Sequence, residues 1–425
     1  MDLSNVSNSF THSKSSKLET ISNQSMTTKN DSELDYFYKI TKIGVIADIQ
    51  YCDKDDGSNW NGTEFRRYRE SLNVTKRAVL SFQKEKVGAI IQLGDAIDGH
   101  SRENFLKDFN DVLSPILNIP PPNDINIGAK LLPESIPRLD VMGNHELYCC
   151  TRKKLRTILH DYDPTKDSLS YSREIAAGKW RLIVLDSYAV SWNKDLELKK
   201  HEMSEDELKN LNFAKSILEQ NNAKCLSSTS ETETTSKEKH RYGTFNGGIG
   251  QSQLEWLENQ LDDAWNKRQF VAIFSHIPIS GFHGNEYLWN SLHWDADEIL
   301  QLIKRKGSHV VACIAGHRHT FSHRNNDEND TFCHHLVIPS PLLAPVGGEA
   351  HAIFDFSIKH GQDLDEIRDE SDKKLTSIEE SMNGMETTPS YDTKFIGTIK
   401  VFGSGSMPKV IDLAKSAPNE WTTKS

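Results

Sequence analysis

The sequence predicts a layered α/β domain, and two observations carry this prediction. Short apolar runs typical of buried strands alternate with longer amphipathic stretches typical of helices, which is the pattern of α/β folds. Five of the apolar runs also stop at residues that can bind a metal ion. Ligands of α/β sheets bind beyond the carboxyl ends of the strands, so we expect these residues to meet there. The first residues at these ends are Asp48, Asp95, Asn144, His276 and His317.

The first half of the domain is predicted to contain three strands and two helices. The run 43–47 is short, apolar and partly β-branched, as a buried strand should be. Further along, Leu72, Val79 and Phe82 recur at helical spacing. The predicted elements are, in order, strand 43–47, helix 64–85, strand 89–93, helix 105–117 and strand 139–142.

The second half of the domain continues this alternation. Large apolar side chains fall on one face of the stretch 251–265, which predicts an amphipathic helix. Two late apolar runs flank Gly403-Ser404-Gly405 and predict a closing β-hairpin. The strands predicted in this half cover 180–185, 270–275, 310–315, 395–402 and 409–413.

Changes in composition divide the chain into one domain, two insertions and two tails. Residues 1–35 are polar and nearly free of apolar periodicity, which predicts a disordered tail. The polar stretch at about 226–241 and the strongly charged stretch 359–392 are predicted to be mobile insertions. The domain is assigned to 36–415, and residues 416–425 to a C-terminal tail.

Composition excludes several classes of partner. The formal net charge is −11, whereas non-specific binding of nucleic acid needs a surface rich in Lys and Arg. No stretch approaches the roughly 20 consecutive apolar residues that span a bilayer. No obligate protein partner is evident. We therefore expect a small molecule as the partner, with no nucleic acid and no membrane.

The cytoplasm is the predicted compartment. The N-terminus lacks the continuous apolar region of a secretory signal. The cysteines show no paired spacing, which favours reduced thiols over a disulfide framework. They are Cys52, Cys149, Cys150, Cys225, Cys313 and Cys333.

Two pairs of polar residues at strand ends are spaced to share a target. Asp48 and Gln50 lie two positions apart, and so do His317 and His319. In an extended segment, residues at this spacing point their side chains to the same side. Carboxylate, amide and imidazole groups all bind divalent cations, so each pair is predicted to face a metal ion.

The remaining strand-end residues complete the set. Asp95 follows a glycine, whose tight turn lets the carboxylate bridge two cations, and Gly143 is expected to free the backbone that aims the amide of Asn144. Taken alone, such an Asp is more often a turn residue or helix cap, and His276 alone more often a hydrogen-bonded core residue. The whole combination favours a site for two divalent cations, an arrangement that cleaves phosphate esters.

The strand-end residues resemble the signature of the calcineurin-like metallophosphoesterase family. That signature is Asp-x-His, Gly-Asp, Gly-Asn-His, His and Gly-His-x-His. The sequence matches it across most of residues 41–345, with Gln50 in place of the first His. The resemblance implies a four-layer α/β/β/α sandwich, in which two central sheets are flanked by helices.

The resemblance also implies where two metal ions bind and how they act. A hydroxide that bridges the ions attacks phosphorus, while His145, not itself a ligand, protonates the leaving group. A structural histidine packed near the site is the alternative interpretation of His145. Asp98 and His100 are expected to orient the site from behind the ligands. The implied ligands are Asp48, Gln50, Asp95 and His319 for the first ion, and Asp95, Asn144, His276 and His317 for the second.

The glutamine at position 50 restricts which metal ion and which class of substrate are expected. A neutral amide oxygen binds a divalent cation less strongly than an imidazole, so Mn²⁺ is predicted ahead of Mg²⁺, Zn²⁺ or Fe. Family members with Asp-x-Gln at this position are manganese-dependent diphosphatases of ADP-ribose and CDP-alcohols. Stretches similar to these enzymes extend to about residue 322 and include 44–51, 66–69, 92–98 and 245–249.

The implied reaction is hydrolysis of a pyrophosphate bond. ADP-ribose would give AMP and ribose 5-phosphate, and CDP-choline would give CMP and phosphocholine. Trp60 is the aromatic candidate for stacking on the base, and a partly buried loop aromatic is an equally good interpretation. Arg66 is the candidate for the distal phosphate, with Arg67 and Arg69 beside it, although a solvated helix face explains most of this run.

Two alternative functions stay open at this point. One is a phosphodiesterase or phosphomonoesterase that acts on cyclic nucleotides or phosphoproteins. The other is a non-catalytic scaffold, because some members of this fold have lost their metals. The scaffold is disfavoured because every ligand position, and His145, holds a residue that suits the chemistry.

Overall fold

Two six-stranded sheets form the centre of the protein. The predicted tail 1–35, the insertion 359–392 and nearly all of 226–241 and 416–425 lie outside the residues described here, so their disorder or mobility stays a prediction. The protein is described from a computed structural model that covers residues 36–59, 61–125, 133–159, 169–221, 241–280, 290–325, 333–356, 393–403 and 408–416.

The elements within these residues alternate as the sequence predicts. The strands are β1 (Lys42–Ile46), β2 (Gly57–Ser58), β3 (Phe65–Arg66), β4 (Ala89–Gln92), β5 (Arg138–Asp140), β6 (Tyr171–Ile175), β7 (Trp180–Val184), β8 (Phe270–Phe274), β9 (Val310–Ala315), β10 (Ser322–Asn325), β11 (His334–Val337), β12 (His351–Asp355), β13 (Thr393–Phe402) and β14 (Lys409–Ser416). The α-helices are α1 (Glu70–Lys84), α2 (Phe105–Leu117), α3 (Asn144–Cys149), α4 (Arg152–Leu155), α5 (Lys194–Leu198), α6 (Glu205–Gln220), α7 (Gly250–Asn266) and α8 (Ala296–Lys306). Short 3₁₀-helices cover Gly99–Asn104 and Lys200–Glu202.

Each sheet contains a group of neighbouring parallel strands. The first sheet has the order β14-β13-β12-β1-β4-β5, with β1, β4 and β5 parallel. The second has the order β10-β11-β9-β8-β7-β6, with β11, β9, β8 and β7 parallel. Parallel strands place their carboxyl ends along one edge, and this edge is where α/β sheets bind ligands.

The two sheets pack face to face through a shared apolar core. Val45 and Ile91 of the first sheet and Trp180 of the second are almost fully buried in this layer. The rings of Phe274 and Phe354, one from each sheet, lie 6.0 Å apart. The buried centre therefore runs between the sheets.

Helices cover both outer faces. Phe82 of α1 and Phe109 of α2 are buried against the first sheet. Leu257 of α7 and Ile303 of α8 are buried against the second. This order of layers confirms the predicted α/β/β/α sandwich. Across the described part of the chain, no helix is long and apolar enough to cross a membrane.

The predicted elements agree with the structure except at one helix start. Helix 105–117 and strand 310–315 have the predicted bounds, and β13 and β14 form the predicted antiparallel hairpin. The helix predicted over 64–85 begins only at Glu70, which corrects that boundary. Residues Phe65–Arg66 instead pair with Gly57–Ser58 as a short hairpin, because apolar helical spacing starts only after them.

Candidate metal centre

The predicted ligands meet between the carboxyl ends of strands from both sheets. Six of the seven are buried, and His317 is half-buried. One donor atom from each of Asp95, His276 and His317 lies within 4.8 Å of the other two. The first sheet supplies Asp48 and Gln50 after β1, Asp95 after β4 and Asn144 after β5, and the second supplies His276 after β8 and His317 and His319 after β9.

Five of these residues have a left-handed backbone. The φ angles are 50° at Asp48, 43° at Gln50, 55° at Asp95, 67° at His317 and 63° at His319. The expectation that extended backbone points each pair to one side is therefore wrong, although the side chains do converge. A left-handed backbone costs an L-residue roughly 1–2 kcal/mol. Such strain collects at functional sites, where the surrounding fold enforces it.

The first half of the centre consists of Asp48, Gln50 and His319. Gln50 Nε2 lies 3.1 Å from Asp95 Oδ2 and 2.9 Å from His319 Nε2. His319 Nε2 is 3.9 Å from Asp48 Oδ1. Neighbouring ligands of one octahedral cation with bonds of about 2.1 Å lie about 3 Å apart, so the terminal atoms have the spacing of a coordination shell.

The second half consists of Asn144, His276 and His317. His276 Nε2 lies 3.4 Å from Asp95 Oδ2 and 3.1 Å from His317 Nδ1. Asn144 Oδ1 accepts a hydrogen bond of 2.9 Å from the hydroxyl of Tyr188. Asp95 thus contacts ligands of both halves through the same oxygen, as a bridging carboxylate would.

An unpaired amide oxygen shows that these residues fit a cation. Gln50 is 1% exposed, and its Oε1 has no hydrogen-bond partner. A buried amide oxygen without a partner is costly. Rotation of the amide brings Oε1 to the position from which Nε2 contacts Asp95 and His319. The donor set of carboxylates, amides and imidazoles suits a hard or borderline divalent cation.

Burial and neighbouring charges shift the pKa values of the ionisable groups in and around the centre. Burial raises the pKa of Asp48 to about 6. Burial acts to lower the pKa of His276, but the charges of Asp95 and Asp48 raise it to about 9. Burial, together with the charge of Asp95, raises the pKa of Glu146 to about 7. Divalent cations between these carboxylates would offset both their repulsion and the cost of burying them.

Two hydrogen bonds orient the imidazoles of the second half. The carbonyl oxygen of Leu93 lies 2.8 Å from His276 Nδ1, so Nε2 of that ring points into the centre. Asn246 Oδ1 lies 2.8 Å from His317 Nε2, which leaves Nδ1 as the donor atom. Partners of this kind fix the tautomer and the direction of a metal-binding histidine.

Glu64 orients the third imidazole. Its Oε2 lies 3.1 Å from His319 Nδ1, so Nε2 of His319 faces Asp48 and Gln50. Sequence reasoning missed Glu64 because it placed this residue at the start of a helix. It also missed Asn246 as an orienting residue, although this asparagine belongs to the stretch 245–249 that the sequence analysis singled out.

The turns around Asp95 depend on two glycines and one glutamate. Gly94 has a φ of 95°, in the region that favours glycine. Gly143 has extended backbone, so the expected gain in backbone freedom is wrong. A Cβ at Gly143 would instead clash with the Asp95 carboxylate, so only glycine fits at this position. Glu146 accepts hydrogen bonds from the backbone N–H groups of Asp95, Ala96 and Gly143, and this was not predicted.

His145 lies beside the centre with a defined tautomer. Its side chain is 15% exposed, and its Nε2 is 3.9 Å from Asp95 Oδ2. The backbone N–H of Gly99 donates to Nδ1 at 2.8 Å, so the neutral ring carries its proton on Nε2. Asp98 Oδ2 lies 3.4 Å from Nδ1, and Asp98 also bonds the ring of His100. Asp98 therefore lies behind His145, which is not a proposed ligand, with His100 one contact further out; that these two residues orient the metal ligands stays a prediction.

The predicted substrate residues have different outcomes. Trp60 lies outside the described residues. Arg66 lies near the centre, because its guanidinium is 3.4 Å from Glu64. Arg67 donates to the backbone of Leu343. Arg69 forms surface ion pairs with two aspartates at 2.7 Å.

Two mixed sheets with these donors at their strand ends define a binuclear metallophosphoesterase. The sequence profile of the family "Calcineurin-like phosphoesterase" matches residues 41–321. The chain belongs to this family, which confirms the predicted family.

Related proteins carry the name of the enzyme subgroup that the sequence predicts. A protein from Oryza sativa subsp. japonica named "Manganese-dependent ADP-ribose/CDP-alcohol diphosphatase" is 31% identical over 72% of this chain and 85% of its own length. A protein of the same name from Danio rerio is 31% identical over 65% of this chain and 81% of its own length. The crystal structure of a dimetal phosphatase from Danio rerio matches with a TM-score of 0.64 at 23% identity, over 88% of this chain and 99% of that one. This likeness confirms the fold.

Proposed function

We propose that this chain is a manganese-dependent hydrolase that cleaves the pyrophosphate bond of nucleoside diphosphate derivatives. ADP-ribose would give AMP and ribose 5-phosphate, and CDP-choline would give CMP and phosphocholine. The observation that carries the proposal is the position of Gln50, whose Nε2 contacts both Asp95 and His319 while its buried Oε1 has no hydrogen-bond partner. The names of the relatives support the same reaction.

Two divalent cations would supply positive charge to the phosphate oxygens and make hydroxide available near neutral pH. The first half contributes a neutral amide, so the site favours a hard, exchangeable ion such as Mn²⁺ over Zn²⁺. The proposed ligands are Asp48, Gln50, Asp95 and His319 for one ion, and Asp95, Asn144, His276 and His317 for the other.

His145 is proposed as the proton donor. Its Nε2–H is directed to the centre, and its partly exposed ring can reach a bound substrate. As the P–O bond of the pyrophosphate breaks, the imidazolium form of His145 transfers its Nε2 proton to the departing phosphate oxygen and becomes neutral. In that charged form Nδ1–H faces Asp98 Oδ2, 3.4 Å away, and the carboxylate stabilises the ring, whereas in the neutral ring Nδ1 accepts from the backbone N–H of Gly99.

Two further side chains are placed to bind the substrate. Arg66, held by Glu64 next to the centre, is proposed to contact the distal phosphate. Phe245 is 38% exposed, and its ring lies 5.9 Å from that of His317. It offers the nucleobase an aromatic face, in addition to the predicted Trp60.

Turnover of a substrate panel tests the proposal. ADP-ribose, CDP-choline, a cyclic nucleotide and a phosphopeptide would be compared with Mn²⁺ and with Mg²⁺. We expect the two diphosphates with Mn²⁺ to have the highest kcat/KM, and Asp95→Ala to abolish turnover of every substrate. Activity on the cyclic nucleotide or phosphopeptide without activity on either diphosphate would overturn the substrate class.

We also propose a cytoplasmic location. The described cysteines carry thiol groups, which suit a reducing compartment. Fluorescence microscopy of the tagged full chain checks this, and an organellar or secreted signal would contradict it.

A further inference from the structure

A second group of metal-binding side chains lies inside the second sheet. Cys313 is on β9, and its backbone partner on the neighbouring parallel strand β11 is His335. Cys333 is two residues before His335, so both side chains face the same side of the strand. All three residues are buried, on the side of the sheet that α7 and α8 cover.

The donor atoms of this group have the spacing of a tetrahedral site. The Sγ atoms of Cys313 and Cys333 are 3.6 Å apart, and one donor atom from each residue lies within 4.8 Å of the other two. Two thiolates bound to Zn²⁺ at about 2.3 Å in tetrahedral geometry lie about 3.8 Å apart. We propose that Cys313, Cys333 and His335 bind a structural Zn²⁺, separate from the phosphoesterase centre.

The charges and ligand types support this ion. Two thiolates balance Zn²⁺, so the buried site would be neutral and avoid the cost of an unpaired charge. Sulfur ligands select Zn²⁺ over Mn²⁺, whereas the phosphoesterase centre offers only oxygen and nitrogen. Ser275 and Ser280 line the small cavity next to Cys313 and His335, which has no room for a water molecule, so a serine hydroxyl would complete the coordination.

The proposed zinc site lies between two strands that lead to the phosphoesterase centre. β9 leads directly to His317 and His319. β11 leads to Ser340, whose hydroxyl donates to the backbone oxygen of Asp48 at 2.6 Å. An ion between β9 and β11 would tie together two strands that position residues of the phosphoesterase centre.

Cobalt spectroscopy separates the two sites. The full chain, reduced and stripped of metal, would be titrated with Co²⁺. We expect a near-ultraviolet thiolate-to-cobalt charge-transfer band that is absent from the double variant Cys313→Ser/Cys333→Ser. The band should persist in Asp95→Ala, because the phosphoesterase centre has no sulfur ligand, and in the matched control Cys150→Ser.

Zinc content gives a second measurement. After reconstitution with Zn²⁺ and desalting, elemental analysis should find about one ion per chain fewer in the double variant than in the native chain. Circular dichroism would show that the double variant is folded. Absence of the charge-transfer band in the native chain, or its persistence in the double variant, would overturn the proposal.

Discussion

The two halves of the metal centre are held by different parts of the molecule. In the second half, His276 is fully buried and anchored by the main-chain oxygen of Leu93. In the first half, His319 is anchored by Glu64, whose side chain is 27% exposed and next to the surface hairpin β2–β3. His276 of the second half is therefore held from the interior and His319 of the first half from a surface loop, although His317, the half-buried ligand, also belongs to the second half. We expect a tightly held ion in the second half and an exchangeable ion in the first.

Removal of the residue shared by the halves should have the largest effect. Asp95 contacts Gln50 of the first half and His276 of the second, so Asp95→Ala should release both ions. We expect kcat/KM for ADP-ribose to fall on the order of 10⁴-fold, as when a unit of catalytic groups is lost. Steady-state kinetics and metal analysis check this. Asp111→Asn, which removes only an ion pair with Lys107 on α2, is the control, and retention of one ion with activity would show that the halves act independently.

Substitution of the proton donor should have the next largest effect without changing either half. His145→Gln should lower kcat for ADP-ribose about 10²- to 10⁴-fold while two ions remain bound. The loss should be far smaller for an ester with a p-nitrophenolate leaving group, which departs without a proton.

The kinetic comparison of the two substrates tests the role of His145 directly. His201→Gln serves as the control, because the His201 side chain is 73% exposed and its ion-pair partner is the neighbouring Glu202. An equal loss on both substrates would indicate a structural histidine instead of a proton donor.

Loss of the surface anchor should affect one half alone. In Glu64→Gln, His319 loses its charged partner, so Mn²⁺ affinity of the first half should fall about 10- to 100-fold. The second half should keep its affinity. Titration followed by electron paramagnetic resonance of free Mn²⁺ resolves the two sites. Glu85→Gln, which removes only an ion pair with Lys400, should change neither, and equal weakening of both sites would remove the distinction between the halves.

The sequence predicted the ligands of the centre but not the local features that position them. The ligand types and their order are visible because each follows an apolar strand, and the strand ends meet in any α/β sheet. The left-handed backbone at Asp48 and Gln50 was not visible, because this conformation is uncommon for any residue other than glycine and here the surrounding fold enforces it. Glu64 was missed for two reasons: it was assigned to the start of a helix, and its contact with His319 spans 255 positions and leaves no local pattern.

The smallest predicted effect concerns metal preference in the first half. Gln50→His replaces an amide oxygen with an imidazole and so restores the family signature. Because imidazole suits Zn²⁺ better than a neutral amide does, the ratio of Zn²⁺ to Mn²⁺ affinity should rise by about tenfold, or about 1.4 kcal/mol. Competition between the two ions, measured with a chromophoric chelator, gives this ratio. Gln50→Glu is the matched control, because it keeps an oxygen donor and should not favour Zn²⁺ to the same degree. An unchanged ratio in Gln50→His would mean that Gln50 does not bind the ion, and the manganese preference would then need another origin.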